Sequence, residues 1–222
     1  MNASERAAAL DAVAVEAAGC VRCPLSEGRT RVVFGEGDPD ADLALVGESP
    51  GFHEDREGMP FAGRGRELLR RLLGQVGLSL EETYLATVLK CRPPGNRDPL
   101  PEETVSCEPY LYRQLELVRP RVVASLGSFA TALLSGRALG ITRVHGQEQE
   151  VALGGRVVKL YPLYHPAAAL YTPSMLAVLE RDIARLPALL ASDATPSEQA
   201  LVAPTVSQAE PAVLRPVQLG LF

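Results

Sequence analysis

The sequence predicts an α/β fold, a three-layer sandwich with a central, mostly parallel four-stranded sheet and helices on both faces. Three observations point there. Short apolar runs alternate with longer stretches of helical period, the pattern that builds parallel sheets through helical crossovers. The run Leu43-Ala44-Leu45-Val46 is apolar without a break, as a strand covered on both faces must be. The stretch 64–76 instead sets Leu68, Leu69, Leu72, Leu73 and Val76 at helical spacing before Gly77.

At 222 residues and 46% hydrophobic the chain is long enough for one sizeable core. One domain over 1–190 is expected, followed by a flexible tail over 191–222. In order, residues 4–18 read as an alanine-rich helix capped by Ser4. An extended piece and a turn over 31–40 lead into a strand from Asp42 to Gly47. The helix over 64–76 precedes a second strand, 83–89. A further helix starts at Pro101, with Glu102 and Glu103 in its first turn, and stops at Val118 ahead of Pro120. A third strand spans 121–126, and Gly127-Ser128 opens a helix through Leu134. Residues 150–156 read as a hairpin arm to a fourth strand, 157–163, and a last helix covers 174–190. From Ala191 onward Ser, Thr, Pro, Gln and Ala dominate without apolar period.

No run of 18 apolar residues occurs, and the first residues lack a basic segment followed by an apolar one. A cytoplasmic protein with no membrane segment is therefore expected. The formal net charge of −5 argues weakly against a nucleic-acid partner. The deficit sits at the ends, however: Glu5, Asp11 and Glu16 oppose Arg6, and Asp193, Glu198 and Glu210 oppose Arg215. The body is nearly neutral, with Arg64, Arg66, Arg70, Arg71, Lys90, Arg92 and Arg97 near its glycine-rich loops, so DNA stays open as a partner.

The stretch from Gly47 to Gly63 joins the first strand to the first long helix, at the strand end where open α/β sheets bind ligands. Its glycines and prolines let backbone approach a ligand, Glu48 and Glu54 offer proton chemistry, and Phe61 offers a flat face. A plain glycine-rich surface loop is the competing reading. The second strand delivers Lys90-Cys91-Arg92-Pro93-Pro94-Gly95-Asn96-Arg97 to the same edge, and the fourth delivers His165-Pro166.

Cysteines stand at 20, 23, 91 and 107. Without a secretion signal a disulfide framework is not expected. A C-x2-C pair with a distant C-x15-C suits structural zinc or a four-iron cluster, and buried unligated thiols stay open as a third reading. The absence of a nearby histidine favours an all-sulfur site.

Taken together, the three loops and the cysteine spacing resemble the family 4, iron–sulfur uracil-DNA glycosylases over residues 17–190. The resemblance implies a uracil-DNA glycosylase-like fold and a [4Fe-4S] cluster on Cys20, Cys23, Cys91 and Cys107. It implies a base excision repair enzyme that hydrolyses the N-glycosidic bond of deoxyuridine in DNA and leaves an abasic site. By the same resemblance His165 donates to uracil O2, Phe61 stacks on the flipped base, and Gly47 and Ser49 complete the pocket. Glu48 is favoured over Glu54 to position the water, with Asn96 helping; Ser49 occupies the place of an aspartate used elsewhere in the superfamily. Thr87 stands where the family usually carries a uracil-reading asparagine. Leu170 or Tyr171 either wedges into the gap left by the base or packs against the fold. His53 borders the site, and His145 is expected to be structural or DNA-facing. No lysine matches a nucleophile position, so the expected activity is monofunctional. The last residues, Gln218-Leu219-Gly220-Leu221-Phe222, resemble the bacterial sliding-clamp-binding motif and imply docking through Gln218, Leu219, Leu221 and Phe222. A monomer is expected. The competing reading from another class is a module on the same fold that binds uracil-DNA or the clamp without turnover.

Overall fold

A computed structural model describes residues 1–192. Helix α1 (Ala3–Ala18) and the single turn α2 (Leu25–Gly28) precede a two-residue strand β1 (Glu36–Gly37) and the first core strand β2 (Leu43–Gly47). Helices α3 (Phe52–Glu57) and α4 (Arg64–Gln75) lead to β3 (Tyr84–Thr87). A 3-10 turn (Pro94–Asn96) and α5 (Pro101–Val118) lead to β4 (Val122–Leu126). Next come α6 (Ser128–Ser135), α7 (Ile141–Val144) and the hairpin β5 (Gln149–Leu153) and β6 (Arg156–Leu163). The chain closes with α8 (Pro166–Ala169), α9 (Pro173–Ile183) and α10 (Leu186–Ala191).

The sheet order is β1-β3-β2-β4-β6-β5. Its four central strands are parallel, as expected from the sequence; β5, the expected hairpin arm, closes one edge antiparallel, and the two-residue β1 adds an antiparallel strand at the other. The β5–β6 turn is Gly154-Gly155 with φ of 58° and 71°, a pair of left-handed residues that a two-residue hairpin requires.

Period-2 alternation sorts the strands into two layers of core. Leu43, Leu45, Leu85 and Tyr161 face the leucines of α4 and the apolar sides of α9 and α10. Ala44, Val46, Tyr84 and Leu160 face Leu111 and Leu115 of α5, Ala130 of α6 and Leu10 of α1. A third, smaller cluster gathers Val13, Ala17, Leu25 and Tyr110 around Cys91 and Cys107.

Several local expectations shift. The cap of α1 is Asn2, not Ser4: its side chain accepts from Glu5 N–H while Glu5 reaches back to Asn2 N–H. The central loop holds a short helix, α3, where the sequence suggested irregular backbone. The last helix is broken between Ile183 and Leu186, and α10 runs one residue past the expected tail boundary. The tail beyond Ser192, with Gln218, Leu219, Leu221 and Phe222, lies outside the described residues. None of the described helices is long and apolar enough to cross a membrane.

One buried polar network ties α5 to the sheet. Gln114 is fully buried, accepts from Lys90 Nζ at 2.6 Å, and donates to Phe34 O at 2.8 Å and to the Tyr84 hydroxyl at 2.9 Å. Replacing it with leucine takes one acceptor from the buried Lys90 Nζ, which keeps Thr87 O at 2.6 Å, and leaves Phe34 O and the Tyr84 hydroxyl without their donor, at a cost on the order of 3 kcal/mol. Thermal unfolding of Gln114→Leu is expected to shift down by roughly 10 °C; an unchanged midpoint would show that the network contributes nothing.

Candidate active site

Parallel pairing brings the expected loops to one rim. Gly47 is in register with Thr87, Val46 with Ser125, and Leu126 with Leu163, so β2, β3, β4 and β6 end together. The chain leaves β2 toward β3 on one side and returns to β4 on the other, which makes the carboxyl ends of β2 and β4 the switch point of the sheet. Glu48 follows β2 and His165 follows β6, two strand spacings apart, about 10 Å.

Glu48 is half-buried, and among the described residues no donor reaches its carboxylate. Burial, and then the charge of Asp98 from the loop after β3, push its pKa above the ordinary value of 4.5. Glu54 is bound quite differently. Its Oε2 accepts from Gly51 N–H at 3.0 Å and its Oε1 from Ala62 N–H at 2.9 Å, so both oxygens clamp the loop across α3. Glu54 is thus occupied in holding backbone, and Glu48 is the free carboxylate. Ser49 is half-buried beside it.

His165 is the N-cap of α8, and its Nδ1 accepts from Ala167 N–H at 3.2 Å. That bond assigns the ring proton to Nε2. Although the residue keeps some exposed surface, the ring is enclosed, and desolvation pushes its pKa down to about 4. At neutral pH the ring is an uncharged donor.

Phe61 lies 6.2 Å from His165, ring centroid to centroid. Its backbone has φ of 53°, a left-handed conformation that costs a bulky residue energy and marks a position held by its surroundings. Those surroundings include Gly47: a Cβ there would stand 2.9 Å from the Phe61 ring, so only glycine lets the aromatic lie against the strand end. The same absent Cβ would face the Thr87 methyl at 3.6 Å. The Thr87 hydroxyl is committed elsewhere, donating to Leu89 O at 2.7 Å.

Asn96 sits on the exposed turn after Cys91 with φ of 55°, and its Oδ1 accepts from Arg92 Nε at 2.7 Å. Asp98, not singled out by the sequence, is the residue of this loop whose charge acts on Glu48. No spacing rule could have found it, because two loops from separate strands meet there. Tyr171 is 77% exposed with the Arg64 guanidinium 5.8 Å over its ring, whereas Leu170 packs against the core below. His145 is half-buried: its Nδ1 meets the Asp182 carboxylate at 2.7 Å and its ring lies 4.7 Å from that of Tyr164. His53 is exposed on α3.

The cations near the loops divide. Arg66 pairs with Glu36, Arg70 with Glu81, and Arg97 with the buried Glu103, while Lys90 is itself buried. Arg64 and Arg71 line a groove with Leu170, and Arg92 stands over Phe52.

The four cysteines line one recess with Ala17, Arg29 and Tyr110. Lys90 N–H donates to Cys107 Sγ at 3.2 Å, and Arg29 reaches Cys91 Sγ at 3.5 Å and Cys20 O at 2.7 Å. Four sulfurs with donors aimed at two of them make a chemically suitable set for a thiolate-held cluster. Burial pushes the Cys107 thiol up to about 11 and raises Cys91 as well, so neither is an activated nucleophile. Among the described residues no three such side chains converge on the position of a single metal ion.

If Glu54 clamps the loop, Glu54→Ala should speed hydrogen exchange at the Gly51 and Ala62 amides about tenfold or more while the strand amides keep their protection. Equal protection in both proteins would remove the clamp.

Comparison with known proteins agrees with this geometry. The profile described as the Uracil DNA glycosylase superfamily matches residues 34–186. A Type-4 uracil-DNA glycosylase of Archaeoglobus fulgidus is 42% identical over 181 residues, 80% of this chain and 91% of that protein. Type-4 uracil-DNA glycosylases of Saccharolobus solfataricus, 40% identical over 82% of this chain and 87% of that protein, and of Thermotoga maritima, 43% over 67% and 76%, are similar as well. With the sheet, the rim loops and the four cysteines in place, the chain belongs to the uracil-DNA glycosylase superfamily, on its type-4 branch.

Proposed function

We propose that this protein removes uracil from DNA by hydrolysing the bond between uracil N1 and deoxyribose C1′. The observation that carries the reading is the pairing of a neutral His165 donor with the strained, buried Phe61 at the rim where Glu48 stands free. As the N1–C1′ bond breaks, its electron pair goes to uracil and negative charge grows at O2, while the sugar becomes cationic. His165 Nε2–H donates to O2 as that charge develops, a contact worth most in the transition state. An uncharged imidazole does this without giving up its proton, so uracil departs as an anion. Glu48 holds the water beneath C1′ and takes its proton as the new C1′–O bond forms. Its desolvated carboxylate is the better base for its raised pKa. Asn96, whose acceptor is taken by Arg92, keeps its amide N–H groups to donate to that water. Phe61 stacks on the extruded base, Gly47 and Ser49 supply the wall beside it, and Tyr171, the more exposed of its pair, fills the gap in the stack.

Cys20, Cys23, Cys91 and Cys107 are the residues that would hold a [4Fe-4S] cluster, which when bound would join the end of α1, the β3 loop and α5 covalently. What supports this is the all-sulfur set and the type-4 relatives. We also assign the C-terminal Gln218, Leu219, Leu221 and Phe222 to sliding-clamp docking on their sequence motif alone. The cytoplasm is the proposed compartment and the monomer the proposed state.

The direct test is release of free uracil from a uracil-containing oligonucleotide under single-turnover conditions, with a cytosine-containing strand as control. Binding without release would favour the non-catalytic module. Glu48→Gln and His165→Asn should each slow release about 10²- to 10³-fold; wild-type rates in either variant would exclude that residue from the chemistry.

The pH dependence follows from the two shifts. Glu48 must be ionised, so kcat/KM should fall as pH drops through a pKa above 4.5, and Asp98→Asn should move that limb downward. His165 stays neutral down to about pH 4 and adds no limb near neutrality. Its protonation is resisted by the fold, so its contribution to stability is full above about 6.5 and is lost as pH falls toward about 4. A rate that instead fell with rising pH between 6 and 7, on the order of an ordinary histidine titration, would identify a cationic histidine.

Thr87 has its proton bound to Leu89 O and offers only an acceptor, which suits uracil N3–H but leaves O4 without a donor from this side chain. Thr87→Asn should raise discrimination of uracil over cytosine by about tenfold or more; unchanged selectivity would show that another group reads the base edge.

A further inference from the structure

Helix α3 presents Phe52 outward, 47% exposed, directly after the Gly51 cap that Glu54 holds. Three groups surround the ring. The Arg92 guanidinium stands 5.1 Å from its centroid, that of Arg56 5.5 Å, and the His53 ring meets it edge-on at 5.4 Å. The chain carries 27 acidic against 22 basic residues, and Arg6, Arg22, Arg66, Arg70, Arg97 and Arg113 close ion pairs, yet among the described residues Arg56 and Arg92 pair with no carboxylate. Two uncompensated cations therefore flank an exposed aromatic in an acidic protein. An exposed ring gains little from folding, and guanidiniums lying over it, free to swing off its face, suit a ligand that is both flat and anionic.

The position narrows the ligand further. Phe52 belongs to the loop that holds Phe61, and Arg92 to the loop whose Asp98 acts on Glu48, so the platform spans the two loops framing the candidate pocket. We propose that Phe52, with Arg56 and Arg92, forms a second nucleobase subsite: an unpaired base of the DNA strand next to the extruded uracil takes the place of the guanidiniums on the ring, and the arginines swing outward to meet its phosphates. The platform rests on the uracil-DNA reading above. A base in a duplex is stacked on its neighbours and cannot reach a side-chain face, whereas a base in a single strand can. The subsite therefore favours uracil in unpaired DNA.

The test measures binding by fluorescence anisotropy on oligonucleotides containing a non-hydrolysable deoxyuridine analogue, as single strands, as duplexes, and as single strands with abasic residues on both sides of it. Phe52→Ala should weaken single-strand binding about tenfold, leave duplex and flank-abasic binding unchanged, and leave the saturated rate of uracil release unchanged; Phe52→Trp should restore the wild-type preference. Arg56→Gln should lower the slope of log affinity against log salt by about one. Equal binding of the flanked strand by wild type and Phe52→Ala overturns the subsite, as does an equal loss on flanked and flank-abasic strands. Because anisotropy reads binding alone, a protein that grips single strands through Phe52 but releases no uracil would sink the proposed reaction and leave the platform standing.

Discussion

The parallel register of four strands is the constraint from which the site follows. Pairing Gly47 with Thr87 and Leu126 with Leu163 makes the strands end at one level, and the loops that leave them have nowhere to go but the same rim. The register is in turn fixed by burial on both faces: a slip of one residue in β2 would exchange Leu43 and Leu45 with Ala44 and Val46 between two cores of different shape. The level at which the rim loops meet is thus a by-product of core packing.

On that rim the chain arranges its two ionisable groups by the same means and to opposite ends. Desolvation penalises charge on both: it lowers the affinity of His165 for a proton and raises that of Glu48. The result is a neutral donor at one point of the rim and a more basic carboxylate at another, the pair that the proposed departure of an anion and activation of a water would call for. Backbone supports both arrangements. Ala167 N–H sets the tautomer of His165, and Glu54 keeps the loop of Glu48 and Phe61 closed from Gly51 to Ala62. The strain at Phe61 is sustained by this support and by the bare face of Gly47.

Much of this was legible in the sequence, and the misses have physical causes. The limits of α5 were readable because Pro101 fits a first helical turn and Pro120 forbids continuation. The run of β2 was readable because two-sided burial leaves no polar residue. Strand β1 was not, since two residues carry no period. The cap of α1 passed over Ser4 because the reciprocal bond needs a glutamate three residues on, which Asn2 finds in Glu5. Of the site, the residue types and loops were legible, but the partners were not. That Glu54 spends both oxygens on amides, that Thr87 spends its proton on Leu89 O, and that Asp98 bears on Glu48 depend on how loops fold over one another. The sequence also overcounted free positive charge, because Arg66, Arg70 and Arg97 find carboxylates that lie elsewhere along the chain.

The proposed reaction requires a base lying on Phe61 with its O2 toward His165. A crystal structure of the protein soaked with free uracil tests it most directly. The base is expected to stack on the Phe61 ring, with O2 within hydrogen-bonding distance of His165 Nε2 and the Gly47 backbone against its edge. Uracil bound elsewhere on the molecule, or lying on Phe61 with O2 turned away from His165, would contradict it.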